Sequence, residues 1–278
     1  MKVLVTGHVG KIGGCVAESL RACGHAVVGF DLADGEDLLD LAAVKRAAMG
    51  CAAIVHLGGL AHDTAGTPEH IMATNVLGTW HALLAAETAG VTRVIHFSSV
   101  QALGIAEGER LPDYFPVDDQ HPRRAMRPYG LSKRLAEDLC EAFTARTAIS
   151  SISLRPVAVW EPDTYARITA QRRTNPQSEW LPFWEYGAFV DVRDVAAAVN
   201  RALEVGPSGH HRALLCATDI SASAPSLELA DRLAAGVPIT DPGRYWTDPS
   251  RALFDCSTAQ ALLGWTPRYR WSQRYRGT

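Results

Sequence analysis

The chain has 278 residues, 47% of them hydrophobic, and a formal net charge of −3, with a pI near 6.4. That length and apolar content suit one large α/β domain or a dinucleotide-type domain with a small appended lobe. The weak charge excludes nucleic acid or an anionic membrane as main partner, and six cysteines without a CxxC pair, a Met1–Thr6 start too short for a signal-peptide apolar region and no long apolar span point to a soluble cytoplasmic protein with reduced thiols.

In chain order, Lys2–Thr6 predicts a strand, Ile12–Ala22 a helix and Ala26–Asp31 a second strand. Leu41–Met49 reads as helix, Ala53–Leu57 as strand, Asn75–Ala89 as helix and Arg93–Ser98 as strand. A long helix over Tyr129–Arg146 precedes a strand at Ser151–Arg155. Strands alternating with helices mean crossover connections and a parallel sheet. The runs VLV, VVGF, AIVHL, VIHF and SISL lack polar alternation, as strands covered on both faces do. From Val157 to Ala188 the pattern loosens into loop with short helical pieces, holding Trp160, Trp180 and Trp184 among Pro162, Pro176 and Pro182. Val190–Leu203 restores a strand start and a helix, and the punctuated tail offers one short helix near Ser257–Leu263. The expected fold is a doubly wound, Rossmann-type α/β sheet. Residues 1–156 form its dinucleotide-binding domain. Residues 157–278 form a small substrate lobe, interleaved with elements that return to the sheet at about 189–218.

Thr6-Gly7-His8-Val9-Gly10-Lys11-Ile12-Gly13 joins the first strand to the first helix. One glycine permits a tight exit from the strand, another lets backbone N–H groups approach a pyrophosphate, and the third lets helix and sheet pack closely. The helix N-terminus adds free donors and positive partial charge. Asp31 ends the second strand about twenty residues on, where a carboxylate accepts both adenosine-ribose hydroxyls and repels a 2′-phosphate. NAD is therefore favoured over NADP, although Lys11 sits close enough to soften that preference.

Tyr129 and Lys133 share one face of a helix at i, i+4. An ammonium beside a phenol stabilises phenolate, and such a tyrosine can exchange a proton with a substrate hydroxyl or carbonyl. Ser98 and Ser99 end a strand at a carboxyl edge, where a hydroxyl can bind the same substrate oxygen.

With these residues the chain resembles the short-chain dehydrogenase/reductase superfamily, in its extended, NAD-dependent epimerase/dehydratase branch. Asp37-Leu38 matches the pair that contacts adenine. Ile54–Gly59, Asn75-Val76-Leu77-Gly78-Thr79, Phe97-Ser98-Ser99 with Gly104, Leu154-Arg155-Pro156, Phe189–Val195 and Leu263–Pro267 match further family blocks. The resemblance implies a catalytic group of Ser99, Tyr129 and Lys133 supported by Asn75. In it Tyr129 is the acid/base, Lys133 binds the nicotinamide ribose and Ser99 holds the reacting oxygen. It also implies cofactor contacts from Gly7, Val9, Gly10, Lys11, Ile12, Gly13, Asp31, Asp37, Leu38, Leu57, Gly58, Gly59, Asn75, Tyr129, Lys133, Arg155 and Pro156.

Departures narrow the chemistry. Dehydratases of the branch follow the serine position with Asp-Glu, and Val100-Gln101 stands here, which disfavours water elimination. Nucleotide-sugar enzymes carry an asparagine where this chain has Ala158, and a glycine where it has Glu161. The lobe is short, as in hexuronate-dehydrogenase-like members. Arg167, Arg172 and Arg173 either bind an anionic group or form a solvated face. The tryptophans either stack on a sugar or fill the lobe. The histidines have no metal-ligand spacing.

The leading expectation is an NAD-dependent oxidoreductase acting on a sugar-like hydroxyl or carbonyl. A nucleotide-sugar epimerase that transiently reduces bound NAD is the alternative, and a non-catalytic NAD(P)-sensing module a third. Leu135, Leu139, Cys140 and Phe143 recur at helical spacing. They fit either sheet packing or, by resemblance, a four-helix homodimer interface.

Overall fold

The computed structural model describes residues 1–105, 109–176 and 185–274. The short apolar runs become strands β1 (Lys2–Thr6), β2 (Ala26–Phe30), β3 (Ala53–His56), β4 (Arg93–Phe97) and β5 (Ser150–Pro156). Two-residue strands β6 (Val159–Trp160) and β7 (Val190–Asp191) pair with each other, and β8 (His210–Leu215) follows. The main sheet has the order β2-β1-β3-β4-β5-β8 and every pairing in it is parallel. The helices are α1 (Lys11–Ala22), α2 (Leu41–Ala48), α3 (Pro68–Met72), α4 (Gly78–Ala89), α5 (Pro128–Arg146), α6 (Pro162–Thr174), α7 (Val192–Val205), α8 (Ser226–Leu233), α9 (Ser257–Leu263) and α10 (Trp271–Arg274).

Successive strand residues point to opposite faces, so an all-apolar strand feeds two cores. Val3, Val5, Val55, Ile95 and Phe97 pack with Val16 and Leu20 of α1 and Val195 and Val199 of α7. Leu4, Ile54 and Val94, between them in sequence, pack with Val44 of α2, Leu83 and Ala86 of α4 and Phe143 of α5. This is a doubly wound sheet. Its strand order reverses between β1 and β3, where open α/β sheets bind ligands beyond the carboxyl ends of the strands.

Three segments differ from expectation. The helix expected at Asn75 begins at Pro68, capped by the Thr67 hydroxyl, which accepts the His70 N–H at 3.3 Å. It then passes through a π-helical turn at Ala73–Leu77 before continuing as α4. The Thr-Pro-Glu start signal was present in the sequence but lay outside the apolar pattern. The stretch after Val157 holds the 13-residue α6 rather than short pieces, and the tail holds α8 as well as α9. α6 buries only Tyr165 and Ile168, too few to print a helical period. On α5, Cys140 and Phe143 face the sheet-side core, while Leu135 and Leu139 are half-buried on its flank.

A separate small core forms around β6 and β7. Trp160 stacks on Phe189, with ring centres 4.6 Å apart, and meets Tyr165 and Trp271 edge-on. Trp160 therefore fills this core; Trp180, Trp184 and Pro182 lie outside the described residues.

Candidate active site

At the reversal point the β1 turn and the β3 loop nearly touch. Gly7 adopts a φ of +71°, and a Cβ there would lie 2.7 Å from the Gly58 nitrogen. Thr6 spans the gap: its hydroxyl accepts the Gly58 N–H at 3.0 Å and bonds His56 Nδ1 at 2.8 Å. A Cβ on Gly13 would overlap the Gly7 carbonyl, so α1 packs directly on the turn. Gly10 is the N-cap of α1 and supplies no side-chain acceptor, which leaves the helix terminus disposed toward an anion.

The remaining residues predicted for the cofactor surround this cradle. Asp31 leaves β2 and accepts the Val9 N–H at 3.1 Å and the Ala33 N–H at 3.0 Å, which fixes its carboxylate against the turn. Carboxylate oxygens have further acceptor sites for ribose hydroxyls. His8 packs on Gly29 and lies 3.3 Å from Asp34. Val9 and Lys11 are exposed, Ile12 and Leu57 are half-buried against the core, and Lys11 pairs with Glu161 at 3.1 Å. Leu38 is buried over Gly58 and Gly78, whereas Asp37 is exposed and accepts the Leu39 N–H at 2.9 Å. These residues gather glycine gaps, free helix N-terminal donors and a carboxylate at the carboxyl ends of β1 and β2, the kinds of group a dinucleotide requires.

The second half of the site comes from β4 and α5. Lys133 is buried and its ammonium donates to the Phe97 carbonyl at 2.8 Å, at the end of β4. It lies 5.8 Å from the centre of the Tyr129 ring, one helical turn back. Burial pushes Lys133 down to about 8, with the Glu137 carboxylate pulling the other way. Ser99 follows Phe97 by two residues. Its hydroxyl accepts the Gln101 N–H at 3.1 Å and opens a tight turn over Val100–Leu103. α5 approaches that turn closely: a Cβ on Gly130 would lie 2.6 Å from the Gln101 carbonyl. Asn75 sits in the π-helical turn, a frequent marker of functional positions. Its amide accepts the Leu60 N–H at 2.7 Å and donates to the Leu60 carbonyl at 3.0 Å and to Ser132 Oγ at 2.9 Å. A Cβ on Gly59 would fall 2.8 Å from the Asn75 oxygen and 3.9 Å from Lys133 Nζ, so the cofactor loop and the Tyr/Lys helix converge.

The two serines part company. Both are buried, but Ser98 donates to Glu137 at 2.6 Å while Ser99 accepts the Gln101 N–H at the start of the turn. Glu137 also takes two bonds from Arg155, at 2.8 and 2.7 Å, and one from Arg212 at 3.1 Å. Burial pushes the Glu137 carboxyl up, but Arg155, then Ser98 and Arg212, outweigh it and hold it below its ordinary value. Arg155 itself is 0% exposed. Its guanidinium pairs with Glu137 and Asp119 and braces the interior at the end of β5. Pro156 is buried beside it at the end of β5. Arg172 is likewise engaged, by Ser221 and by the face of Trp271, while Arg167 and Arg173 are exposed on α6 rather than on a loop.

Sequence reasoning missed Glu137 and Asp63. Glu137 was visible as an acidic residue on the buried stripe of α5, four after Lys133. Asp63, in the loop after β3, accepts the Tyr129 N–H at 2.7 Å and carried no local signal. His56 and His96 are buried, and burial pushes His56 down to about 3. Among the described residues no group of three or more His, Cys, Asp or Glu could hold a metal ion, and no helix is long and apolar enough to cross a membrane.

The fold defines a doubly wound α/β protein in which a glycine turn and the Tyr129/Lys133 end of α5 converge on the loop after β3. The sequence model of the NAD dependent epimerase/dehydratase family matches residues 3–214, and the chain belongs to that family. It is 29% identical to a uronate dehydrogenase of Pseudomonas syringae pv. tomato, over 75% of this chain and 72% of that protein. It is 25% identical to a UDP-glucose 4-epimerase of Rhizobium leguminosarum bv. trifolii, over 99% and 95% of the two chains. A short-chain dehydrogenase/reductase superfamily protein from Agrobacterium tumefaciens, crystallised with bound NAD, superposes with a TM-score of 0.72 at 26% identity, covering 99% of this chain and 95% of that one.

Proposed function

We propose that this protein is an NAD-dependent oxidoreductase that transfers a hydride between NAD and a hydroxyl or carbonyl of a sugar-like substrate, with uronates the leading candidates. The observation that carries this reading is the placement of Lys133. Its ammonium is pinned to the end of β4 beneath Tyr129, beside Gly59 of the groove and two residues before Ser99 turns the chain.

NAD, when bound, supplies the hydride acceptor. The groove residues Gly7, Gly10, Gly13 and Asp31 hold its pyrophosphate and ribose, and Asp31 excludes a 2′-phosphate. Ser99 Oγ holds the reacting oxygen. Tyr129 Oη takes the proton from the substrate hydroxyl during oxidation and returns one during reduction. The Lys133 ammonium favours the phenolate through its charge. Burial of Lys133 is what gives the charge its reach, because screening water is excluded.

The full-length similarity to epimerases supports a second reading, in which the same group works with a retained cofactor and no net redox change. Ala158, in place of the family's asparagine, speaks against it. Residues 157–278, apart from the returning α7 and β8, form the substrate lobe in this proposal. The proposal also includes a cytoplasmic homodimer. Leu77 is exposed on the outer side of the π-helical turn, and Trp80, Leu84, Leu135 and Leu139 are half-buried nearby on α4 and α5.

The deciding experiment follows absorbance of reduced cofactor with NAD and NADP against sugars, uronates and nucleotide sugars. Tyr129→Phe is expected to abolish turnover, a loss of about 10²–10⁴, while leaving NAD affinity nearly intact. Full activity of that variant, or no turnover on any substrate, overturns the reading.

A further inference from the structure

We propose that Asp63 is a positioning residue for Tyr129, and that the loop carrying it locks the cofactor side of the site to the proton-transfer side. The proposal rests on Tyr129 being the acid/base.

The first turn of α5 reads Arg127-Pro128-Tyr129. Its N-cap, Arg127, has no side-chain oxygen to accept a first-turn N–H, and Pro128 has no N–H to offer. Tyr129 therefore carries the first amide donor within the helix. Asp63 Oδ1 accepts it at 2.7 Å from a position 66 residues earlier in the chain. Glu109 does the same for the approach to the helix, accepting from the Met126 N–H and, at 3.2 Å, from the Arg127 N–H. Two carboxylates from distant loops thus supply the cap that the local sequence lacks, and negative charge is favourable at a helix N-terminus.

The other end of the Tyr129 peptide unit is held as well. The Ser132 hydroxyl donates to the Tyr129 carbonyl at 2.7 Å and accepts from the Asn75 amide at 2.9 Å. Asn75 in turn grips Leu60 through both its N–H and its carbonyl. Two residues earlier in the same loop, Gly58 donates to Thr6 at the base of the glycine turn. The segment from Gly58 to Asp63 is therefore fastened at three places: to β1, to the π-helical turn and to the N–H of Tyr129. Through Asn75 and Ser132 it also reaches the carbonyl of Tyr129. A displacement of this loop is transmitted to the backbone that carries the phenol. Misplacement by about 1 Å is enough to cost up to about 10²-fold in rate.

The test compares Asp63→Ala with Asp63→Asn in the full-length protein, with Tyr129→Phe as reference. Three quantities are read: kcat and KM for the substrate, NAD affinity, and hydrogen exchange of the Tyr129 amide. Asp63→Ala is expected to lower kcat about tenfold or more, to leave NAD affinity within about twofold and to speed Tyr129 exchange. Asp63→Asn keeps a carbonyl acceptor and should restore kcat to within about threefold of the parent, with slow exchange. If Asp63→Ala does not fold, Asp63→Glu replaces it: the charge is kept, the arm is too long, and kcat should still fall. The inference is overturned if Asn is as damaging as Ala, or if Ala changes neither kcat nor exchange while Tyr129→Phe abolishes turnover. If Tyr129→Phe keeps full turnover, the proposed function fails instead. The exchange comparison of Ala with Asn still decides whether Asp63 holds the Tyr129 backbone.

Discussion

Around Lys133 the polar groups are fixed by short, directional bonds: ammonium to the Phe97 carbonyl, Ser98 to Glu137, Asn75 to Leu60 and Ser132. Around Trp160 the contacts are instead aromatic faces and edges, and two of the cations on the adjoining α6 lie at the surface. The first region is preorganised, so removing one atom leaves a buried partner unsatisfied. The second is shape-filling and tolerates volume-conserving change.

The largest expected effect tests the first region directly. Lys133→Met should lower kcat by about 10²–10⁴ without changing the fold. It also carries a sign that stability measurements can read. Burial lowers the Lys133 pKa to about 8, against 10.5 for the unperturbed group. Between those values the unfolded chain binds more protons than the native one, so this group makes stability rise with pH across that window. Below about 8 its full penalty is present. The stability of Lys133→Met relative to the parent should therefore fall as pH rises from about 8 toward 10.5, as urea unfolding at the two ends will show. A stability difference that is constant with pH would contradict a buried, charged Lys133.

Next in size is Glu137→Gln. It leaves Arg155, wholly buried, without its principal counter-charge, and breaking a buried pair on one side costs about 3–5 kcal/mol. Urea or thermal unfolding reads this loss, while a volume-conserving change in the lobe such as Ile168→Leu should cost less than about 1.5 kcal/mol. Equal losses in the two regions would erase the distinction drawn between them.

The same contrast governs how far the sequence could be read. β1 to β5 were legible because strands covered on both faces carry short, mainly apolar runs without regular polar alternation, and the glycine turn because backbone contact leaves no room for side chains. Tyr129 and Lys133 were legible because i, i+4 spacing on a helix is a local property. Asp63 was not, since its partner is 66 residues away and a half-exposed aspartate in a loop has no distinguishing pattern. The ion pairs of Arg155 with Glu137 and Asp119 were not legible, because a matched motif names a position and not the direction of its side chain. α6 was missed because it is held by two buried residues against aromatic neighbours rather than by a continuous apolar stripe.

The smallest expected effect lies where the two regions meet. Lys11, on the glycine turn, pairs at 3.1 Å with Glu161, the N-cap residue of α6, and the lysine side chain is 82% exposed. Exposed pairs contribute only about 0–1 kcal/mol, so Lys11→Ala should not measurably change the unfolding midpoint. Its charge nevertheless stands beside the helix terminus proposed to hold the pyrophosphate. Lys11→Ala should therefore weaken NAD binding by about two- to fivefold at low ionic strength, a loss that disappears as salt shortens the screening length. Glu161→Ala removes the competing carboxylate and should move affinity slightly the other way. Titrating NAD into both variants at two salt concentrations separates the outcomes. If Lys11→Ala binds NAD as the parent does at low salt, the lysine serves only to join the lobe to the turn. If instead both variants lose stability by more than about 1 kcal/mol, the join is stronger than an exposed pair allows, and the lobe is less independent of the sheet than its aromatic core implies.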